Sequence, residues 1–265
     1  MKGRTQYTRI SFLTKFILFA ACFFAAFTTH AAGKNTSLMA IKAADELAVL
    51  SQSVVKDYFY IAKGLNVTQS TAQLTKYQKQ ILRHLKFLKA TVSGANEKNM
   101  LDFMEIAEQE MTELVNQPYS EDNAYLVMDI SEVLLEGAHA IKVELDKNSR
   151  SNHKMLDLAE NQLFLVERMA KLYIAAQHGI YDFNSKQQMK DAIQAFDTGI
   201  NKLNKYDYPD SQKAKVSRVK KHWQSARYFY EDAETGTLPS TVFLATQLIV
   251  YPLNTLVTYH SGQRG

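Results

Sequence analysis

LVERMAKLYIAAQHGI occupies residues 165–180, and LSQSVVKDYFYIAKGL occupies residues 50–65. The two stretches lie 115 positions apart and align without a gap. Leu50, Lys56, Tyr58 and Gly64 meet Leu165, Lys171, Tyr173 and Gly179, and upstream Ala44 meets Ala159. Downstream, Leu74, Ile81, Leu85 and Leu88 meet Met189, Phe196, Ile200 and Leu203. The loop Ser93-Gly94-Ala95 meets Tyr208-Pro209-Asp210. Any two helices share apolar spacing, but breakers that recur at one fixed offset point to an internal duplication.

The period within each copy is helical. Apolar residues recur at i, i+3, i+4 and i+7, and no alternation of period two competes with them. Breakers divide the chain into eight predicted helices. The first runs from about Ser37 to Lys63 and is closed by Gly64, suited to a left-handed cap. The second runs from near Ser70 to before Ser93-Gly94, and the third from about Asn96 to Asn116 ahead of Pro118. The fourth starts behind Ser120, a capping hydroxyl, and lasts to about Asp146. The polar run from Lys147 to Asn152 reads as the junction. The fifth helix spans about His153 to His178, closed by Gly179. The sixth starts behind Asn184 or Ser185, and the seventh runs from Asp210 to about Asp232. The eighth begins at Pro239, where proline is tolerated, and Pro252 is expected to kink or end it. Short loops between long helices demand antiparallel neighbours. The expected architecture is all-α, with two tandem four-helix units at residues 32–148 and 149–265. The fifth helix is apolar over two stripes, so it must be covered on more than one side, either as the central helix of its own bundle or by also meeting the other unit.

The N-terminus reads as a secretory signal peptide over residues 1–31. Lys2, Arg4 and Arg9 precede an apolar run from Phe16 to Phe27, and Thr29-His30-Ala31 offers a cleavage site. The predicted location is periplasmic; the alternative is a tether to the inner membrane by an uncleaved segment. The leader carries four bases and no acid, so removing it leaves 27 Lys and Arg against 27 Asp and Glu. That balance gives no net electrostatic case for binding nucleic acid or an acidic membrane surface. The single cysteine, Cys22, leaves with the leader. The remaining roughly 230 residues must be held by their core, and they suffice to build one. Thr241–Leu256 carries Gln247, Pro252 and Asn254 and reads as a buried bundle helix.

LAENQLFLVERMAKLY, Leu158 to Tyr173, resembles the signature of the N-terminal sensing domain of type IV pilus methyl-accepting chemotaxis transducers, which is related to the sensor domain of nitrate-responsive histidine kinases. The family pattern reads roughly A-G-R-Q-R-M-L-S-Q-R-M-A-K, and Ala159, Gln162, Leu165, Arg168, Met169, Ala170 and Lys171 match it. The first helix is similar through Ala44, Leu50, Ser51, Gln52 and Lys56. The departures are Glu160, Asn161 and Leu163 in the second copy, and Glu46, Ala48 and Ser53 in the first. The resemblance implies a periplasmic helical sensor-type domain, in tandem, without its own output module. In the nitrate-sensing branch it implies arginines that hold an anion between paired helices, because a buried anion needs forked donors and positive charge. Leu163 supplies neither.

Candidate site residues follow from the same helix. Arg168 and Lys171 lie one turn apart, so both heads reach one region. They suit a small anion or carboxylate, or Arg168 pairs with Glu160 or Glu167 while its stem covers apolar surface. Gln162 interrupts an apolar stripe and needs a partner, either a facing helix or a ligand. Asn161 is the fourth candidate. Glu136-x-x-His139 has the spacing of one half of a di-iron site, but such a site needs two such pairs. Val219–Asp232 mixes bases with Trp223, Tyr228, Phe229 and Tyr230, which read as core or interface aromatics. There is no phosphate loop, nucleophile elbow or haem-attachment motif, so neither catalysis nor a cofactor is expected. Two functions remain: a ligand-binding sensor domain read by a separate membrane receptor, or a module that grips another envelope protein.

Overall fold

The computed structural model describes residues 34–147 and 154–262. The segment read as a leader and most of the junction lie outside them. The described residues form eight helices and no strand. The first unit holds α1 (Lys34–Ala62), α2 (Val67–Thr91), α3 (Ala95–Val115) and α4 (Glu121–Lys147). The second holds α5 (Lys154–Ala176), α6 (Phe183–Lys205), α7 (Asp210–Glu231) and α8 (Pro239–Gly262). The fold is all-α, and the 115-residue offset carries the end of α4 onto the end of α8.

Local chemistry sets the helix ends. Gly64 and Gly179 adopt φ of +72° and +79°. At these two positions the chain closes the same motif: Leu65 N donates to the Tyr60 carbonyl and Ile180 N to the Ala175 carbonyl, each at 3.0 Å. A left-handed residue lets these amides satisfy carbonyls that the helix leaves orphaned. Ser120 accepts from Asn123 N at 3.2 Å, as its position predicts. The cap of α6 is Asp182 rather than Asn184 or Ser185; its carboxylate accepts from Ser185 N at 2.8 Å. A carboxylate also meets the positive end of the helix dipole, which a neutral side chain does not. Pro252 does not end α8, which continues to Gly262. Buried neighbours Leu253, Leu256 and Val257 hold the last turns onto the core despite the lost backbone bond.

Each unit packs as a cycle in which first and third helices both touch second and fourth. The units meet through their first helices, so α1 packs on α2, α4 and α5, and α5 on α1, α6 and α8. Contacts between α1 and α5 advance together along both helices, from Asp45–Glu160 through Lys56–Glu167 to Lys63–Gln177, so the two run parallel. Three-sided cover accounts for their broad apolar surfaces. Ile174, Ala175 and Phe243 of the second unit join the first unit's core, which ties the two interiors together.

A Cβ at Gly64 or Gly179 would meet nothing within 4 Å, so alanine there brings backbone strain without a clash. Gly64→Ala and Gly179→Ala should each lower unfolding stability by about 1 kcal/mol in urea titrations, with the m-value unchanged.

Candidate functional site

The α1–α5 seam follows a 4-3-4-3 spacing: Asp45, Val49, Gln52, Lys56, Phe59 and Lys63 on α1, with Glu160, Phe164, Glu167, Lys171, Ile174 and His178 at the 115-residue offset on α5. Parallel helices that present such a row to each other meet as in a coiled coil. Val49 packs on the second core and Phe164 on both. Phe59 stacks at 5.1 Å on His178, whose Nε2 donates to the Phe59 carbonyl at 2.9 Å. The equivalent residue, Lys63, donates in return to the Gln177 carbonyl at 2.6 Å. Both bonds cross the seam near its C-terminal end from equivalent donors, but their acceptors differ, since Phe59 corresponds to Ile174 and not to Gln177.

Two lysines of the seam, Lys56 and Lys171, are fully buried, and each takes its carboxylate from the other unit. Lys56 Nζ donates to Glu167 Oε2 at 2.7 Å, and Asp57 Oδ1 lies at 4.0 Å. Burial works against the Lys56 charge, but Glu167 and Asp57 hold the ammonium protonated. Lys171 cannot use the same arrangement, because the residue equivalent to Glu167 is the neutral Gln52. It donates instead to Glu132 Oε1 on α4 at 2.6 Å and to Ser131 Oγ at 3.2 Å. Arg168 shares that carboxylate, with NH2 at 2.8 Å from Oε2. One carboxylate serving two cations leaves Lys171 less well compensated, and burial brings its pKa down to about 8. Glu132 also feels burial, which opposes its charge, but Lys171 and Arg168 bring its pKa down to about 2. Burial pushes Asp57 up to about 7, with Lys56 opposing the shift.

At the N-terminal end of the seam, the carboxylates of Asp45 and Glu160 face each other. Carboxylate oxygens of Asp45, Asp157 and Glu160 lie within 4.8 Å of one another. Lys142 of α4 sits among them, 2.7 Å from Asp45 and 3.3 Å from Asp157, in the place a cation would take.

Beside this cluster a cavity of about 200 Å³ opens on one flank of the seam. Asp45, Glu46, Val49 and Ser53 of α1, Tyr77 of α2, Glu160, Leu163 and Glu167 of α5, and Val250 of α8 line it. The opposite flank is filled. Arg168, equivalent to Ser53, lies 5.6 Å over the Phe164 ring and closes onto Glu132. The chain therefore has an arginine-filled flank and a serine-lined open one. A larger open cleft of about 620 Å³ lies between α6 and α7, lined by the ion pairs of Arg227 with Asp197 and Glu231 and of Lys186 with Glu234, together with Lys190 and Asp232.

Of the residues expected to form a site, Arg168 and Lys171 converge, on Glu132; Arg168 pairs with neither Glu160 nor Glu167. Gln162 is fully buried, and neither of its amide atoms has a hydrogen-bond partner among the described residues. It lies against Gly199, whose missing side chain makes room for it, and does not line the seam cavity. Asn161 is exposed. Glu136 and His139 are exposed as well, and the His139 ring packs edge-on against Phe164 at 5.9 Å. The sequence reading does not single out Asp45, Asp57, Glu132 or Lys142; it names Lys56 only as a repeat match, and Glu160 and Glu167 only as partners for Arg168. A polar pair recurring at the repeat offset, Lys56/Lys171 or Asp45/Glu160, was the available signal. Glu132 carried none, because α4 reaches the seam only through tertiary packing. Comparison with family models, characterised proteins and solved structures finds no match.

Glu132→Gln leaves two cations, one fully buried, without their carboxylate. It should cost roughly 3 kcal/mol, and Lys171→Met in the same chain should recover most of that loss in a double-mutant cycle. Asp57 ionises near 3.8 when unfolded but near 7 in the fold, so the folded state holds the extra proton between those values. Its contribution is complete below about pH 4 and is lost as pH rises toward 7. Asp57→Asn should flatten that part of the stability profile measured by denaturant unfolding at stepped pH.

Proposed function

We propose that this chain is an exported, non-enzymatic helical module of the sensor type, in which two covalently joined four-helix units stand in for the subunits of a receptor dimer. The observation that carries this reading is the asymmetric polar seam: parallel α1 and α5 joined by Lys56–Glu167, with Lys171 of α5 held to Glu132 of α4, one flank closed by Arg168 and the other open at Ser53. The likeness of Leu158–Tyr173 to a transducer sensing motif supports it. A ligand held between two parallel helices shifts their packing by as much as it prefers one arrangement, and a separate membrane partner in the envelope reads the shift.

The ligand this seam favours is a small organic cation. Glu132 occupies the place where Arg168 and Lys171 would hold an anion. The open flank instead sets Asp45, Glu46, Glu160 and Glu167 beside Val49, Leu163, Val250 and the Tyr77 ring; Asp45, Glu46 and Glu167 already meet Lys142, His84 and Lys56, so a ligand amine would compete with these and with Lys76 on the same wall. Carboxylates on an apolar wall suit an ammonium group on a short carbon skeleton. A second reading, a module that grips another envelope protein and meets no small ligand, is favoured by the closure of Arg168 and Lys171 onto the protein's own carboxylate.

A thermal-shift series with small aliphatic and aromatic amines, nitrate, nitrite and small carboxylates separates these readings. Amines should raise Tm with concentration, because a ligand bound only by the folded state stabilises it. Ser53→Arg, which copies the second unit's residue into the first, should abolish that response. A shift with oxyanions instead would return the seat to Arg168 and Lys171. No shift with any compound, together with a stable complex recovered from envelope extract, would favour the second reading.

A further inference from the structure

The balanced net charge conceals a segregation that the fold makes visible. Helix α3 carries six acids, Glu97, Asp102, Glu105, Glu108, Glu110 and Glu113, against Lys98. Its counterpart α7 carries six bases, Lys213, Lys215, Arg218, Lys220, Lys221 and Arg227, against Asp210 and Glu231. α3 packs on α2 and α4, while α7 packs on α6 and α8 and only marginally on α5. These are the helices farthest from the seam, so one edge of the molecule is acidic and the opposite edge basic. Lys215, Arg218, Lys220 and Lys221 have no ion-pair partner among the described residues.

The basic edge adjoins an apolar stripe. Helix α8 contains no Asp, Glu, Lys or Arg. It is not the buried bundle helix its composition suggested: Leu244, Leu248 and Tyr251 lie on one outward face at 57%, 50% and 68% exposure. Lys215 Nζ lies 5.9 Å from the centre of the Tyr251 ring, so the bases and the stripe meet. Arg218, one turn beyond Lys215 on α7, is exposed beside it.

We propose that the α7–α8 edge is a docking surface for a lipid bilayer carrying anionic headgroups, with α8 lying in the interface rather than crossing it. Leu and Tyr side chains enter the headgroup boundary while neighbouring bases meet lipid phosphates, the pattern of interfacial helices. Crossing is excluded while the unit stays folded, because Val242, Phe243, Ile249, Leu253 and Leu256 on the other side of α8 are buried in the cores. The acidic edge of a second copy would answer the charge but not the stripe, since Ile106 is the one large apolar side chain of α3 that is well exposed. Nucleic-acid phosphates would likewise leave the stripe uncovered. A bilayer answers both features at once.

The test is vesicle co-sedimentation of the chain from residue 32 onward, which retains all eight helices and the cores they enclose. The vesicles are phosphatidylcholine alone, or phosphatidylcholine with phosphatidylglycerol. Binding is expected to the anionic vesicles at low salt, and it should weaken as salt screens the headgroups. Lys215→Glu with Arg218→Glu and Lys221→Glu should weaken it on the order of 100-fold. Leu244→Ser with Leu248→Ser should weaken it by roughly tenfold. Arg218, Lys221, Leu244 and Leu248 are exposed, and Lys215 is half-buried against Tyr251 without an ion-pair partner among the described residues, so circular dichroism should show the variants folded. Glu110→Lys with Glu113→Lys, on the acidic edge, should leave binding unchanged. Equal affinity for both vesicle types, binding to neither, or full binding by the charge-reversed variant overturns the proposal. So does head-to-tail association in sedimentation velocity that those same substitutions abolish, which would assign the edge to a second copy.

Discussion

Two fully buried lysines, Lys56 and Lys171, constrain the rest of this architecture. An ammonium group in a protein interior persists only beside an opposite charge, and neither Lys56 nor Lys171 takes its hydrogen-bonded carboxylate from its own unit. Glu167 comes from α5 to Lys56, and Glu132 comes from α4 to Lys171. Separating the units would strand both ammonium groups. Buried pairs of this kind add little net stability over a well-packed apolar seam; their effect is on register. A shift of α1 along α5 would leave every one of these groups unpaired, whereas an apolar seam would tolerate several alignments.

The seam also shows how a repeated unit loses symmetry without losing its fold. Gly64 and Gly179 close identical helix ends, and Lys63 and His178 make reciprocal bonds to the opposite helix. Between them, one position differs in consequence. Arg168 fills its flank and reaches Glu132, while Ser53 leaves the equivalent flank hollow. Gln52 in place of a second glutamate is the other break, and it makes Lys171 depend on α4. An inner pair of helices with one closed and one open flank has two unequal faces, which two identical subunits could offer only by becoming asymmetric.

Charge organisation runs at two scales. Near the seam, opposite charges are interleaved at hydrogen-bond distance, and the field they make is short-ranged. At the outer edges, like charges gather on α3 and on α7, and their fields extend into solvent until salt screens them. The inner arrangement fixes how the units sit; the outer one orients the whole molecule toward whatever it meets.

The all-α class and nearly every helix boundary were legible in the sequence, because period and breakers act locally. Of the two outcomes expected at Pro252, an end does not occur, because packing by Leu253 and Leu256 outweighs one lost backbone bond, and α6 is capped by Asp182, a better cap than its neighbours. The convergence of Arg168 and Lys171 was visible from their spacing, but not their partner. Glu132 stands 36 residues from Arg168, and only the packing of α4 against the seam brings them together. Gln162 was noticed as a polar residue in an apolar stripe, yet its contact with Gly199 depends on how closely α5 and α6 approach. Tertiary structure alone decided which polar residues face each other, which flank of the seam stays open and which side of α8 is bare. Those outcomes depend on distances between helices, and a one-dimensional pattern carries periods but no distances.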